Sequence, residues 1–342
     1  AERVFDQTSL APLIRVAAVM VPFTTVNGVA TSLARGARDT SPHVYVNQII
    51  RPILRVVLIA IFVVAGFEAI GAVTGQTLAV LIGTVLAVYI TFRVLPSFDV
   101  PPARMYRPLL AYSLPLIAVQ GMGFVNNNID VYMIGYFLTS ASVGVYNIAL
   151  QLGNILTAVM SSMAFLLPPA LARLHEENKP EQMRRTYQGV TKWVVVLSIP
   201  PFTILFFAPE LVIGQLFGSE YTVGGVALQI ILLGKLFAVS SGLGMETLVG
   251  LGENRIVSVI VFCQAASNTI LNFVLIPVIG IEGGAIGMTG GLLIGNILSV
   301  TFLYTRYQVH PVSVSIYRPL VSLAVIAGSS YGLFNLFDFP TS

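Results

Sequence analysis

The fold is decided by residues 47–93, which read NQIIRPILRVVLIAIFVVAGFEAIGAVTGQTLAVLIGTVLAVYITFR. Two apolar runs, 47–66 and 71–93, flank a short connection that contains Glu68 and no basic residue. Arginines lie towards the opposite end of each run. Because a helix needs about 20 mostly apolar residues to cross a bilayer, each run predicts a transmembrane helix. The stretch therefore predicts a helical hairpin that crosses a membrane twice.

The composition of the whole chain extends this prediction. Of its 342 residues, 56% are hydrophobic and 10% are charged, and the mean hydropathy is +0.85. Soluble domains carry about 25% charged residues, so the composition excludes a soluble fold. We predict an all-α polytopic membrane protein with ten transmembrane helices, at 11–33, 47–66, 71–93, 108–136, 142–170, 190–208, 224–249, 256–277, 284–305 and 315–337.

The net charge and the single cysteine exclude several classes of function for this chain. The net charge is +3, but the charges fall between apolar runs, so we expect no nucleic-acid partner. The single cysteine, Cys263, excludes an internal disulfide and a cysteine-based metal cage. The sequence contains no recognisable Ser/His/Asp constellation, phosphate-binding loop or metal-binding cluster, so we predict a protein that is not an enzyme.

The connections between the apolar runs alternate in charge. One set carries acidic residues and no Lys or Arg, and it comprises 67–70, 137–141, 209–223 and 278–283. Basic residues collect in the other set. Cytoplasmic loops carry the excess of Lys and Arg, so we predict that the basic connections are cytoplasmic and that the chain starts and ends outside the cell membrane.

The sequence also contains an internal repeat with an offset of 214 residues. The offset aligns the first three predicted spans with the seventh to ninth, and it places Gly66 on Gly280 and Glu68 on Glu282. Such repeats are common in transporters. We predict a two-lobe repeat architecture whose first lobe is incomplete, with three further spans expected upstream. The predicted domains are 1–95, the second half of the N-terminal lobe; 104–308, a six-helix C-terminal lobe; and 312–342, an additional transmembrane helix.

Polar residues lie inside several predicted spans, where they are costly and usually face a cavity or a partner. In the stretch GFVNNNIDVYMIGYF (123–137), Asp130 shares one helical face with the residues three and four positions before it. A second polar face lies on the next span, and we predict that the two faces line a cavity. The candidate cavity residues of these spans are Asp130, Asn126, Asn127, Asn147, Gln151 and Asn154.

Lys235 and Glu246 are further cavity candidates in the predicted span 224–249. Their separation of eleven residues is close to three helical turns, which places them on one face about 16 Å apart. Lys235 lies near mid-membrane, where an ammonium group is costly without a ligand or a partner. A structural ion pair between Lys235 and Asp130 is the alternative to a cavity role.

The last polar candidates are amides of the eighth predicted span, Asn268 and Asn272. For these two, and for Gln264 and Asn296, hydrogen bonding between helices is the alternative to a cavity role. Glycines recur at every fourth position of the ninth span, which predicts close helix packing. These glycines are Gly283, Gly287, Gly291 and Gly295.

With these residues in view, the chain resembles the polysaccharide and oligosaccharide-lipid flippases of the multidrug/oligosaccharidyl-lipid/polysaccharide exporter superfamily. The similarity covers essentially the whole chain. It is clearest in IDVYMIGYFLTSASVGVYNIA (129–149), LPPALARLHEENKPEQMRRTY (167–187), LFGSEY (216–221) and GLGENR (250–255).

The resemblance implies two six-helix lobes around a central cavity that alternately faces each side of the membrane. Its implied cargo is a polyprenyl-pyrophosphate-linked glycan, flipped to the outer leaflet. Lys235 would hold the phosphates, with Arg51 or Arg55 at the cytoplasmic mouth, although charge topology alone also explains these two arginines. Asp130 and its amides would contact sugar or couple a cation.

Two alternatives remain open at this point. A cation-coupled multidrug or metabolite antiporter of the same superfamily would use Asp130 or Glu246 to exchange H⁺ or Na⁺ for its substrate. A membrane-embedded glycosyltransferase is disfavoured because the external connections are short. We expect no cofactor and leave coupling to H⁺ or Na⁺ open. The expected partners are the polyprenyl-pyrophosphate-linked glycan, the lipid bilayer and enzymes of glycan assembly.

Overall fold

A computed structural model describes residues 10–37, 39, 41–95, 107, 110, 128–164 and 166–311. The chain divides into two compact units, Ala1–Met105 and Tyr106–Ser342, which are described separately below as the first and second units. The three predicted domain ranges themselves stay predictions.

The helices of the first unit are α1 (Leu10–Ala18), α2 (Met20–Gly36), a π-helical segment (His43–Ile50) that continues into α3 (Arg51–Val64), and α4 (Glu68–Val94). The chain reverses between α3 and α4 at Gly66, whose φ of +87° is readily adopted only by glycine. Thr84 and Thr91 of α4 donate hydrogen bonds to main-chain carbonyls of α2, at 3.1 and 3.2 Å, and so hold these two helices together.

The helices of the second unit are α5 (128–137), α6 (Ser140–Met163), α7 (Leu167–Glu176), α8 (Pro180–Phe207), α9 (Pro209–Phe217), α10 (Gly225–Ser241), α11 (Gly244–Gly250), α12 (Asn254–Ile279) and α13 (Ile281–Tyr307). One apolar core joins α5, α6, α10 and α13 and includes Ile134, Leu156 and Ile231. A second core lies where α7 and α8 meet α11 and α13, around Leu171, Tyr187 and Leu248. These cores fix the helices that carry the candidate site.

Eight helical segments of the described residues are long and apolar enough to cross a membrane. They are Pro12–Arg35, His43–Val64, Ala69–Val94, Ser140–Glu176, Pro180–Phe207, Ser219–Ser241, Asn254–Ile279 and Ile281–Tyr307. The prediction of an all-α polytopic membrane protein is confirmed. Predicted span 315–337 and most of 108–136 lie outside the described residues, so the count of ten stays a prediction.

The predicted single helix 224–249 is wrong. Helix α10 ends at Ser241, and Gly242, with a φ of +78°, separates it from α11. A Cβ at Gly242 would lie 2.6 Å from Thr191 Oγ1 and 2.7 Å from the Tyr187 hydroxyl oxygen, so only glycine fits against α8. Lys235 and Glu246 therefore lie on different helices, and the expectation that they share one helical face is also wrong.

Two other span boundaries differ from prediction. The predicted span 142–170 is interrupted after Met163, and α7 begins at Leu167 with two prolines in its first turn, a favourable position for proline. The charged segment 171–189 between the predicted spans 142–170 and 190–208 is partly buried, because Leu171 and Tyr187 belong to the second core. Its C-terminal part is the start of α8, which continues without a break into the predicted span 190–208.

The sequence repeat has a counterpart in the two units. Gly66 and Gly280 both adopt a positive φ, of +87° and +70°, and each follows the second helix of its repeat. The next helix then starts within two residues and carries Glu68 or Glu282 in its first turn. In the second unit Thr289 of α13 donates a 3.1 Å hydrogen bond to the Ile230 carbonyl of α10. In the first unit, threonines of α4 donate to main-chain carbonyls of α2 in the same way. The two-lobe organisation itself stays a prediction.

Candidate functional site

The site begins with Lys235, a buried cation in the middle of α10. Its side chain is 5% exposed, and it lies about 15 Å along the helix axis from Gly225. Lys235 Nζ donates a 2.8 Å hydrogen bond to Asn154 Oδ1 of α6. Gly153 makes this crossing possible, because a Cβ there would lie 3.2 Å from Lys235 Cε and 2.7 Å from Ile231 Cγ2. Two of the three ammonium hydrogens have no hydrogen-bond partner among the described residues.

Asp130 lies in a separate hydrogen-bond network on the buried side of α6. It is 3% exposed, and its Oδ2 accepts a 2.7 Å hydrogen bond from the Tyr146 hydroxyl. Its Oδ1 accepts a 3.0 Å bond from the backbone N–H of Val131. Asp130 and Lys235 interact electrostatically, but the ion pairs of the described residues do not include an Asp130–Lys235 pair. The alternative of a direct ion pair is therefore wrong for this conformation.

The expected polar face of α6 is present but does not meet Asp130. Gln151 and Asn154 are exposed, and Asn147 donates a 2.9 Å hydrogen bond to the Val143 carbonyl of its own helix. Asp130 instead contacts Tyr146, on the buried face of the same helix. The expected arrangement of Asp130 opposite Asn147 and Gln151 is thus corrected by the tyrosine, which supplies the carboxylate with a hydrogen-bond donor. Asn126 and Asn127 lie outside the described residues.

A cavity of about 550 Å³ lies beside this polar face, at the break between α10 and α11. Its polar lining residues are Thr157, Ser161, Glu246, Gln264 and Asn296. Gly242 and Gly244 of the helix break also line it.

The Lys235–Asn154 pair lies next to this cavity along both helices. Thr157 and Ala238 line the cavity, and each is three residues after a member of the pair. Residues three apart are neighbours on one helix face. The buried cation is therefore about one helical turn from the cavity.

The amides of α12 divide between the cavity and the helix interface. Asn268 and Asn272 are 3% and 0% exposed, and Asn272 Nδ2 donates a 2.8 Å hydrogen bond to Asn268 Oδ1. They pack against Gly291 and Gly287 of α13, and they do not line the described cavity beside Glu246. The structure thus places these two residues at the α12–α13 interface, but the hydrogen bond between them lies within α12, so the alternative of a hydrogen bond between helices stays a prediction.

Two polar cavity residues, Thr157 and Ser161, were not among the sequence-based candidates, and for Gln264 and Asn296 the sequence left a cavity role open. The signal for Thr157 and Ser161 was present, because they continue the polar face of α6 three and seven residues after Asn154. Short hydroxyl side chains are common in membrane helices for packing reasons, so their spacing alone did not distinguish them.

Arg51 and Arg55 lie in the first turns of α3, in the first unit. Arg55 is exposed, and the Arg51 side chain passes 3.7 Å from the position of a Cβ at Gly83 of α4. Their proposed place at a cytoplasmic mouth stays a prediction. No group of three or more His, Cys, Asp or Glu side chains that could hold a metal ion occurs in the described part of the chain.

Comparisons with known proteins agree with this architecture. A family model described as "Polysaccharide biosynthesis protein" matches residues 1–224. The probable low-salt glycan biosynthesis flippase Agl15 of Haloferax volcanii is 25% identical over 241 residues, which are 70% of this chain and 51% of that protein. The chain spans between 40% and 51% of the length of the curated relatives it matches.

Solved structures show the same fold at low sequence identity. The lipid II flippase MurJ in an inward closed conformation matches with a TM-score of 0.74 and 13% identity, over 96% of this chain and 68% of that one. A MATE transporter in complex with MaL6 matches with a TM-score of 0.58 and 16% identity, over 87% of this chain and 69% of that one. The fold of the chain is therefore shared with both transporter groups.

Proposed function

This multi-pass membrane protein belongs to the polysaccharide biosynthesis protein family, and on that premise we propose that it flips lipid-linked oligosaccharide or polysaccharide precursors. The proposed movement is from the cytoplasmic to the outer leaflet by alternating access. The proposed cargo is a glycan linked to a polyprenyl pyrophosphate. The similarity to two probable flippases of Haloferax volcanii, one of them named for low-salt glycan biosynthesis, supports this proposal.

The observation that carries the proposal is the buried ammonium group of Lys235. A cation at mid-membrane depth is costly, and such residues usually mark a substrate or ion pathway. The hydrogen bond that it makes among the described residues, to Asn154 Oδ1, orients the group without neutralising its charge. Lysine is a compact point charge that suits a phosphate oxygen. We assign Lys235 to the pyrophosphate of the cargo and Asn154 to the positioning of Lys235.

The neighbouring cavity adds side chains of a different chemistry to this site. Its polar wall carries hydroxyl, amide and carboxylate groups about one helical turn from Lys235. Its volume of about 550 Å³ lies within the range of small-molecule sites, about 300–1,000 Å³. A pyrophosphate at Lys235 would place the first sugars of the glycan at this wall.

The proposal is tested by replacing Lys235 in cells that depend on the protein. We expect the Lys235→Ala variant to accumulate glycan precursor on the cytoplasmic leaflet. The matched control is Lys179→Ala, because Lys179 is exposed and pairs only with surface Glu177 among the described residues. Normal glycan export by a Lys235→Ala variant that reaches the membrane at normal abundance would contradict the proposal.

A cation-coupled antiporter is the second candidate, and the position of Glu246 in the cavity favours it. Such a protein would bind a cationic substrate or a coupling ion at this carboxylate. Substrate efflux driven by an H⁺ or Na⁺ gradient, abolished by Glu246→Gln and accompanied by normal glycan export, would select this candidate over the flippase.

A further inference from the structure

The described lining of the cavity beside Glu246 presents several hydrogen-bond acceptors. The Thr157 hydroxyl donates to the Asn154 carbonyl at 3.1 Å, and the Ser161 hydroxyl donates to the Thr157 carbonyl at 2.9 Å. Asn296 Nδ2 donates to the Leu292 carbonyl at 2.8 Å. Because the hydroxyl hydrogens are used within their own helix, the oxygens of Thr157 and Ser161 remain as acceptors, whereas the amides of Gln264 and Asn296 carry both acceptor oxygens and N–H donors. The wall therefore offers acceptors to a ligand that donates hydrogen bonds, and the charge that such a ligand can carry depends on Glu246.

Glu246 is the one ionisable side chain among the described residues that line this cavity. An ionised carboxylate only accepts hydrogen bonds, so it continues the chemistry of the hydroxyl and amide oxygens. The four ion pairs of the described residues join Arg173, Lys179, Arg184 and Arg185 to Glu177 and Glu181, and none of them includes Glu246. The charge of Glu246 is thus available to a ligand.

We infer that this cavity is a sugar subsite that accepts uncharged or ammonium-bearing sugars and rejects sugars that carry a carboxylate. This inference rests on the proposed flippase function and specifies the substrate class of the same site. Sugar hydroxyls and ammonium groups donate to the acceptor wall. A uronic acid would place a second carboxylate against Glu246, and like charges in a partly desolvated site exclude a ligand by repulsion.

The same chemistry separates the two parts of the cargo. A pyrophosphate is anionic and accepts hydrogen bonds, so it is unsuited to the cavity and suited to the free ammonium hydrogens of Lys235. Because Lys235 and the cavity are about one helical turn apart, the sugars next to the pyrophosphate are the ones selected. Sugars further along a glycan do not fall under this selection.

The test uses two synthetic polyprenyl-pyrophosphate disaccharides that differ at one carbon. One carries a hexose as the sugar joined to the pyrophosphate and the other carries the matching hexuronate there, so that the group at C6 is CH₂OH in one compound and COO⁻ in the other. Equilibrium binding is measured to the purified full protein in lipid nanodiscs. We expect the hexose compound to bind at least about tenfold more tightly than the hexuronate compound, because like-charge contacts are strongly unfavourable.

Variants of Glu246 then test whether this residue causes the preference for the hexose compound. In Glu246→Gln we expect the preference to shrink to about twofold or less, because the repulsive charge is gone. Glu246→Asp should retain the preference. Glu220→Gln is the matched control, since Glu220 is an exposed glutamate of the same unit outside the cavity.

The possible failures are distinguishable. Equal affinity of the wild-type protein for both compounds, or an unchanged preference in Glu246→Gln, would overturn the inference and leave the flippase proposal in place. The comparison of the two compounds on the wild-type protein needs no variant. The inference can therefore be contradicted even if the Glu246→Gln protein fails to fold. Absence of binding by both compounds would contradict the flippase proposal and the inference together.

Discussion

Lys235 Nζ reaches across from α10 to donate a 2.8 Å hydrogen bond to Asn154 Oδ1 of α6. Asn154 is an uncharged partner, so the bond fixes the direction of the ammonium group without neutralising it, and the ion pairs of the described residues do not include Lys235. In a membrane-spanning helix this arrangement is unfavourable for stability alone. The same arrangement is favourable for a site that binds an anion. The roles of the residues around Lys235 in binding and in stability can each be tested by substitution.

The role of Asn154 predicts that Asn154→Ala impairs transport and leaves the fold intact. Without its partner, the ammonium group loses a bond worth about 1.5–3 kcal/mol and its fixed direction. We expect weaker binding of the pyrophosphate-linked cargo, measured as a rise in its Kd. The control is Ser162→Ala on the same helix, which removes an exposed hydroxyl that bonds its own helix. Equal Kd values for both variants would contradict a positioning role.

The close approach at Gly153 predicts that Gly153→Ala destabilises the protein by about 1–3 kcal/mol through overpacking. The added methyl group would contact Ile231 Cγ2 at 2.7 Å and Lys235 Cε at 3.2 Å. Thermal unfolding in detergent measures the effect. Gly189→Ala in α8 is the matched control, because nothing lies within 4 Å of its Cβ position, and it should be neutral or stabilising. A neutral Gly153→Ala would show that α6 and α10 are not in tight contact there.

The glycine stripe of α13 predicts coupling between Gly287 and Asn272. A methyl group at Gly287 would collide with Asn272 Oδ1, which is buried and has no hydrogen-bond partner in the part of the chain that the structure describes. Gly287→Ala should therefore lower the unfolding temperature, whereas Gly28→Ala in α2, where the Cβ position is open, should not. In the Asn272→Ala background the collision is removed, so the cost of Gly287→Ala should shrink. Strictly additive effects would contradict this contact.

The Tyr146–Asp130 hydrogen bond predicts a stabilising role for both residues. Tyr146→Phe removes the 2.7 Å bond and leaves a buried carboxylate with one donor fewer, which we expect to cost about 1.5–3 kcal/mol. The exposed Tyr136→Phe change on α5 is the control and should have little effect on unfolding. If both variants unfold alike, the bond does not stabilise the unit, and Asp130 would again be open to a cavity role.

Residue spacing predicted much of this architecture, because membrane spans and helix faces are local properties. Asn147, Gln151 and Asn154 were assigned to one face, and the structure places Gln151 and Asn154 exposed on α6. The glycines at every fourth position of α13 were assigned to packing, and their Cβ positions are occupied by atoms of α12.

The features that residue spacing did not predict depend on contacts between residues far apart in the chain. The break at Gly242 depends on Thr191 and Tyr187 of α8, more than 50 residues earlier in the chain. The placement of Asp130 depends on a tyrosine hydroxyl, a group that sequence patterns count with the apolar residues. Gln264 lines the cavity and Asn268 is buried away from it, although they lie one turn apart on α12 and both pack against glycines of α13.

The central claim is that the Lys235 ammonium group binds the pyrophosphate during flipping. Its most direct test is the rate at which a fluorescent polyprenyl-pyrophosphate glycan crosses the bilayer of proteoliposomes that contain the full protein. We predict a loss of about tenfold or more for Lys235→Ala, since removing one partner of a buried charge interaction costs about 2–5 kcal/mol, with partial retention by Lys235→Arg. An unchanged rate for a folded, reconstituted Lys235→Ala protein would contradict the claim.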